Sequence, residues 1–84
     1  MKKIFYTKKF LRAFKKLFLN IQDTYRQQEK LFIKNLFDKK LRTHKLKGAN
    51  YYSFSVNYKI RVIFQKNKVI TLINIGDHSL YREL

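Results

Sequence analysis

Apolar residues in the first half of the chain recur with the period of a helix. Their spacing of three to four residues is typical of one apolar face on an amphipathic helix. Thr7 comes just before this stripe, and we expect its hydroxyl to cap the helix by accepting a hydrogen bond from a free backbone N–H. The stripe consists of Phe10, Phe14, Leu17, Phe18 and Ile21.

A second helix is expected after a break at Asn20 to Asp23. Thr24 and Gln27 have the spacing of a capping box, which predicts a restart there. The helix is expected to end near Lys39 and to form a hairpin with the first one. Its apolar positions are Leu31, Phe32, Ile33, Leu36 and Phe37.

The period changes to two in the second half, after a basic segment without periodicity between Leu41 and Asn50. Alternation from Tyr51 to Tyr58 predicts a half-buried strand. Two further strands complete an antiparallel meander. The short stretch 2–6 is expected to be the first strand and to return to this sheet, and the helix pair covers one face. We therefore predict one α+β domain over residues 1–84, in the order β-α-α-β-β-β. The two further strands are expected at Ile60–Phe64 and Val69–Ile75, with turns at Asn57–Lys59 and Lys66–Lys68.

The composition narrows the possible functions of this domain. Twenty Lys and Arg against five Asp and Glu give a formal net charge of +15, and no acid occurs between Lys39 and Gly76. Such a surface favours a polyanion or an acidic protein as partner. The absence of Cys excludes a disulfide framework and thiolate chemistry. No stretch has the length of a membrane span or the core of a signal peptide, so a cytoplasmic protein is expected.

Arg61 lies within an apolar strand, on the face opposite Val62 and Phe64. A charged residue there either pairs with an acid, for which Asp77 or Asp38 is available, or holds a phosphate in a functional cleft. His78 follows the last strand, and a histidine at such a place is either a plain surface residue or a general acid or base.

The sequence also leaves the roles of the remaining candidate residues undecided. His44 is as ambiguous as His78, and Tyr81 serves either in packing or as a platform for a base. Two histidines among lysines do not make a metal site, and we predict neither a metal nor another cofactor. Lys-rich turns near tyrosines are typical of single-stranded nucleic-acid surfaces, although a merely solvated basic face has the same pattern.

Three ordered segments resemble the RelE/ParE superfamily of bacterial type II toxin–antitoxin toxins, and in particular its YafQ-like branch. The segments are His44–Gly48, Tyr52–Phe64 and Leu72–His78. The resemblance covers nearly the whole chain. It implies two helices on an antiparallel sheet, a cognate antitoxin as partner, and either of two activities. RelE-like members cleave mRNA on the ribosome without metal, whereas ParE-like members poison DNA gyrase.

By this resemblance, Arg61 is expected to hold the scissile phosphate, His44 and His78 to carry out acid–base chemistry, and Tyr81 to stack on or orient a base. Two positions depart from the pattern, because Ser55 stands where Arg, Lys or His is common and Lys59 stands where the YafQ-like branch has Asp. The histidines favour an mRNA endonuclease that inhibits translation. A gyrase poison and a non-catalytic RNA-binding module remain alternatives. The expected RNA-binding residues are Lys45, Lys47, Lys59 and Arg82.

Overall fold

Two helices lie against one face of a five-stranded sheet. The computed structural model describes residues 3–47 and 50–83. The predicted order is confirmed, with one short strand added before the meander. The elements are β1 (Ile4–Tyr6), α1 (Lys8–Lys15), α2 (Leu19–Lys34), a 3₁₀ turn (Lys39–Leu41), β2 (His44–Lys45), β3 (Tyr51–Ser55), β4 (Arg61–Lys66), β5 (Ile70–Gly76) and a last 3₁₀ helix (His78–Glu83).

The strands follow the spatial order β1-β5-β4-β3-β2. Each strand from β2 to β5 pairs antiparallel with the next one along the chain, as expected for a meander. β1 pairs in parallel with β5, with Ile4 opposite Ile70. The first strand therefore returns to the sheet beside the last one, as the sequence predicts.

The break between the helices lies earlier than predicted. Thr7 caps α1 as expected, its hydroxyl accepting a hydrogen bond from the Phe10 N–H at 3.0 Å. α1 then ends at Lys15, because the side chain of Gln22 donates to the carbonyls of Phe14 and Leu17, at 3.2 and 3.0 Å. The Phe14 carbonyl also accepts the Leu17 N–H at 3.1 Å, so backbone and side-chain donors together satisfy the end of the helix.

The predicted restart at Thr24 is wrong. Thr24 lies inside α2, where its hydroxyl donates to the Asn20 carbonyl at 3.0 Å instead of capping a new helix. A Ser or Thr within a helix commonly bonds back to the preceding turn in this way. α2 also ends earlier than predicted, at Lys34 instead of near Lys39. The backbone becomes extended at the next residue, Asn35.

The core lies between the helices and the sheet and is dominated by aromatic rings. Phe32 is fully buried, with its ring 4.5 Å from that of Phe54 and 4.9 Å from that of Phe64. Stacked and edge-on rings at such distances add specific attraction to the apolar area that they bury. Three residues predicted on the apolar faces are instead exposed: Phe18, Ile33 and Phe37.

The other face of the sheet is not covered by α1 or α2. Ile63 and Leu80 are buried there, outside the core that the helices share. Leu80 belongs to the last 3₁₀ helix, which folds back on β5 so closely that a Cβ on Gly76 would lie 3.1 Å from the Leu80 Cδ2 atom. We call this side of the sheet the open face. Among the described residues, no helix is long and apolar enough to cross a membrane.

Candidate functional site

The polar side chains of the sheet gather on the open face because of the strand register. His44 is opposite Ser53, Ser55 is opposite Arg61, and Arg61 is opposite Gly76. Directly opposed residues in an antiparallel ladder project to the same side of the sheet. Their neighbours in sequence therefore face the aromatic core.

Arg61 begins β4 and is held by two hydrogen bonds. One guanidinium nitrogen, Nη1, donates to the Ser55 hydroxyl at 2.5 Å and to the Asn57 carbonyl at 3.2 Å. Ser55 is itself buried. The alternative of a salt bridge to Asp38 or Asp77 is not found, since both carboxylates accept backbone N–H groups nearer to them in sequence. Arg61 thus offers an oriented positive charge without a carboxylate among its bonding partners.

A second chain of contacts links Tyr81 to the same strand. The Tyr81 hydroxyl donates to the Ser53 hydroxyl at 3.3 Å, and the Tyr81 ring lies 6.1 Å from that of His78. His44 stands opposite Ser53 on the edge strand β2. The structure therefore brings His44 and Tyr81 to Ser53, with His78 beside Tyr81, two residues along β3 from the Ser55 that holds Arg61.

Asp77 fixes the start of the last 3₁₀ helix and hence the place of His78. Its carboxylate accepts a hydrogen bond from the Ser79 N–H at 2.9 Å. The hydrogen bonds from the Ser79 backbone and hydroxyl lower the pKa of Asp77, with smaller contributions from the charges of Lys59 and His78. Asp77 is thus a fixed negative charge beside His78 at neutral pH.

The four predicted RNA-binding residues do not form one group. Lys45 is opposite Tyr52, whose ring stacks on Phe64 at 5.4 Å, so its register position lies on the helix side of the sheet. Lys59 lies in the turn between β3 and β4, near enough to Asp77 to influence the pKa of that carboxylate. Lys47 and Arg82 are exposed, after β2 and in the last 3₁₀ helix respectively.

Sequence patterns alone did not reveal the residues that hold the candidates in place. Ser53 and Ser55 alternate with aromatic residues as any outward positions of a strand would, and only the hydrogen bonds to Tyr81 and Arg61 distinguish them. The sequence pattern predicts Asn57 only at the end of the strand alternation and in the turn that follows it. Its side chain accepts the N–H groups of Lys59 and Ile60, at 2.8 and 2.7 Å, which sets the turn that leads into Arg61.

The described residues contain no cluster of three or more His, Asp or Glu side chains that would hold a metal ion. The candidate residues on the open face offer a guanidinium, two imidazoles, a phenol and two hydroxyls. This set can bind a phosphate and move protons.

Solved structures with the same fold are bacterial and archaeal toxins. A copper-bound mutant toxin from Helicobacter pylori is 24% identical, with a TM-score of 0.75 over 95% of this chain and 98% of that chain. RelE in the RelE–RelB complex from Pyrococcus horikoshii is 18% identical, with a TM-score of 0.76 over 90% and 93%. YafQ in the DinJ–YafQ complex from E. coli is also 18% identical, with a TM-score of 0.75 over 95% and 97%.

The chain has the RelE/ParE-like toxin fold. Both RelE-like and YafQ-like structures match it over nearly its full length, and it spans nearly all of theirs. No protein-family model matches the sequence, and no curated protein matches it. The likeness is therefore one of fold at low sequence identity.

Proposed function

We propose that this protein is the toxin of a type II toxin–antitoxin system and acts as a metal-independent endonuclease on ribosome-bound mRNA. The observation that carries the proposal is the oriented Arg61, held by Ser55 and Asn57 on the face that also bears His44, His78 and Tyr81. A cation fixed in this way is suited to a phosphate group. The fold of the RelE and YafQ toxins supports the same proposal.

The proposed reaction is transesterification of the RNA backbone. A base takes the proton of a 2′-hydroxyl, whose oxygen attacks the adjacent phosphorus. The bond from phosphorus to the 5′-oxygen breaks, and an acid gives that oxygen a proton. The products carry a 2′,3′-cyclic phosphate and a 5′-hydroxyl.

Each candidate has one part in this scheme. Arg61 stabilises the charge that grows on the phosphorane oxygens. His78 and His44 move the two protons. Tyr81 orients the substrate by contact with a base, with its hydroxyl bonded to Ser53 and its ring beside His78.

Cleavage mapping tests the proposal. Wild type, Arg61→Ala and His78→Gln are incubated with a reporter mRNA, with and without ribosomes, and the ends are mapped. We expect Arg61→Ala to cut about 10²- to 10³-fold more slowly than wild type. Arg12→Ala, which removes an exposed arginine of α1, serves as the charge-matched control and keeps full activity. Wild-type rates in both variants would contradict the assignment.

The phenotype of induced cells separates this activity from the alternatives. An mRNA endonuclease stops translation, whereas a gyrase poison causes filamentation and DNA-damage signalling. A non-catalytic RNA-binding module would bind RNA with a steep dependence on salt and leave mRNA intact even with ribosomes. Filamentation with intact mRNA would favour the gyrase poison, for which the fold is equally suited.

The proposed role requires a cognate antitoxin, and one surface of the molecule suits such a partner. Phe18 and Leu19, at the junction of the helices, are 82% and 76% exposed. Leu17, Phe18 and Lys59 are among the residues that line a groove of about 560 Å³. An amphipathic segment would match the apolar lining of the groove, with acidic residues placed against Lys16 and Lys59 and away from Asp77, which lines it as well. Replacing Phe18 and Leu19 by Ser is expected to abolish co-purification with the product of the adjacent gene, while Lys68→Gln leaves it intact.

A further inference from the structure

A cleft of about 210 Å³ opens beside Arg61, at the edge of β3 that β2 leaves uncovered. β2 pairs only with Tyr52 and Ser53. The rest of β3, up to Ser55, therefore has no strand beside it on this edge. α2 closes the back of this space, since the Gln28 side chain donates to the Ser55 carbonyl at 2.9 Å. The cleft is lined by Gln28, Lys40, Arg42, Ser55, Asn57 and Tyr58, together with Val56.

Two residues of the cleft are the same ones that hold Arg61. Ser55 accepts the guanidinium hydrogen bond through its hydroxyl, and Asn57 accepts one through its carbonyl. A ligand in the cleft therefore lies next to whatever Arg61 binds. This adjacency is what a chain-like substrate needs, because its neighbouring units must occupy neighbouring places.

The rim of the cleft combines positive charge with an exposed ring. Lys40 and Arg42 are exposed, and Tyr58 is 87% exposed. The Asp38 carboxylate accepts the backbone N–H of Lys40 at 2.9 Å. Cations that meet phosphates beside a ring on which a base stacks are the combination that proteins use for single-stranded nucleic acid.

The backbone at Arg42 provides an independent observation. Arg42 has φ 50 and ψ 49, in the left-handed region. This conformation costs roughly 1 kcal/mol for most residues other than Gly and is tolerated better by Asn. Arg42 ends the 3₁₀ turn in this conformation, with its backbone N–H donating to the Lys39 carbonyl at 3.3 Å, and the turn thereby fixes Arg42 at the rim of the cleft.

We infer that this cleft is a subsite for a nucleotide that flanks the scissile phosphate, with Lys40 and Arg42 on its phosphate and Tyr58 stacked on its base. The inference rests on the proposed ribonuclease function and adds a second place of contact with the substrate. Lys40 and Arg42 belong to the basic stretch between Lys39 and Gly76, but the family resemblance selected neither of them, nor Tyr58.

Binding of a short single-stranded RNA, methylated on every 2′-hydroxyl so that it cannot be cleaved, tests the inference by fluorescence anisotropy over a range of salt. Lys40→Gln and Arg42→Asn are each expected to reduce the slope of log K against log salt by about 0.7, the value for one phosphate contact on a single strand. Arg42→Asn suits the left-handed backbone, so the fold should tolerate it. Lys68→Gln, at the opposite end of β4 and β5, is the matched control.

The stacking contact has its own pair of variants. Tyr58→Ala should weaken binding at least about fivefold, whereas Tyr58→Phe keeps a ring and should bind as wild type does. The inference is overturned if Lys40→Gln and Arg42→Asn change the slope no more than Lys68→Gln does, or if Tyr58→Ala binds as tightly as Tyr58→Phe. Binding that depends on the cleft in a protein that never cleaves mRNA would support the subsite and contradict only the proposed catalysis.

Discussion

The hydroxyl of Ser55 accepts a hydrogen bond from the guanidinium of Arg61 at 2.5 Å, between opposed positions of β3 and β4. From the family resemblance, Arg, Lys or His is expected at the position of Ser55. In this chain the position has a different task, because a neutral hydroxyl orients one arginine instead of adding a second positive charge.

Ser55→Ala is therefore expected to slow mRNA cleavage about tenfold with little change in KM. A hydrogen bond to a charged group contributes about 1.5–3 kcal/mol, and 1.4 kcal/mol of lost positioning corresponds to a tenfold change in rate. Steady-state kinetics on ribosome-bound reporter mRNA measures it. Ser55→Thr keeps the hydroxyl and should restore most of the rate, whereas equal losses in Ala and Thr variants of equal folded fraction would contradict a positioning role.

Ser53 and Tyr81 should act as one unit, since their hydroxyls are bonded at 3.3 Å. Ser53→Ala and Tyr81→Phe each remove this bond, and the double variant removes nothing more. We expect the double variant to cleave no more slowly than the slower single variant, with a coupling energy of at least about 0.5 kcal/mol. Strictly additive losses in cleavage rate would show that the two hydroxyls act independently.

Gly76→Ala tests how closely the last 3₁₀ helix must pack on β5. The new Cβ would lie 3.1 Å from the Leu80 Cδ2 atom, so the buried Leu80 side chain must give way by a few tenths of an ångström. Overpacking of this kind costs roughly 1–3 kcal/mol, measured as the free energy of unfolding in urea. Combining it with Leu80→Ala removes the clash, so the double variant should be more stable than the sum of the single losses predicts. Simple additivity would argue against the contact.

Stability should fall at alkaline pH through two tyrosines that share one carboxylate. Tyr6 and Tyr25 both donate to the Glu29 Oε2 atom, at 2.8 and 2.5 Å. Burial, followed by the bond to Glu29 and the charge of that carboxylate, raises the pKa of Tyr6 from 10.0 to about 12 and raises that of Tyr25 as well. The folded state therefore retains protons that the unfolded chain loses above about pH 10.

The stabilisation from these tyrosines is full below about pH 10 and is lost as the pH rises through the pKa of Tyr6 in the folded protein, about 12. Urea unfolding of wild type and of a Tyr6→Phe, Tyr25→Phe variant across this range measures the effect. Lysine deprotonation affects both proteins, so the difference between them isolates the tyrosines. An equally steep loss of unfolding free energy in the variant would contradict the prediction.

Periodicity predicted the elements well where it extends over several turns or strands. The start of the stripe at Phe10 and the cap at Thr7 located α1. The alternation from Tyr51 to Tyr58 located β3, although the strand ends at Ser55. Periodicity failed where a local hydrogen bond decides the outcome. Gln22 ends α1 early by bonding two carbonyls, and nothing in its spacing indicates this. β2 has only two residues, too few for any period.

The candidate site could likewise be predicted only in part. The face on which Arg61 lies follows from alternation with Val62 and Phe64, and the register confirms it. The partners of Arg61 depend on pairing between strands that are joined by a turn whose geometry Asn57 sets. Ser55 could therefore be found only from three-dimensional structure.

The parallel pairing of β1 with β5 places the first strand beside the last, with Ile4 opposite Ile70 and Tyr6 opposite Leu72. During synthesis the N-terminal strand has no neighbour to pair with until β5 has been made, and Arg61 and His78 lie late in the chain as well. The sheet, and with it the face that carries Arg61 and His78, is consequently completed only after β5 has been synthesised.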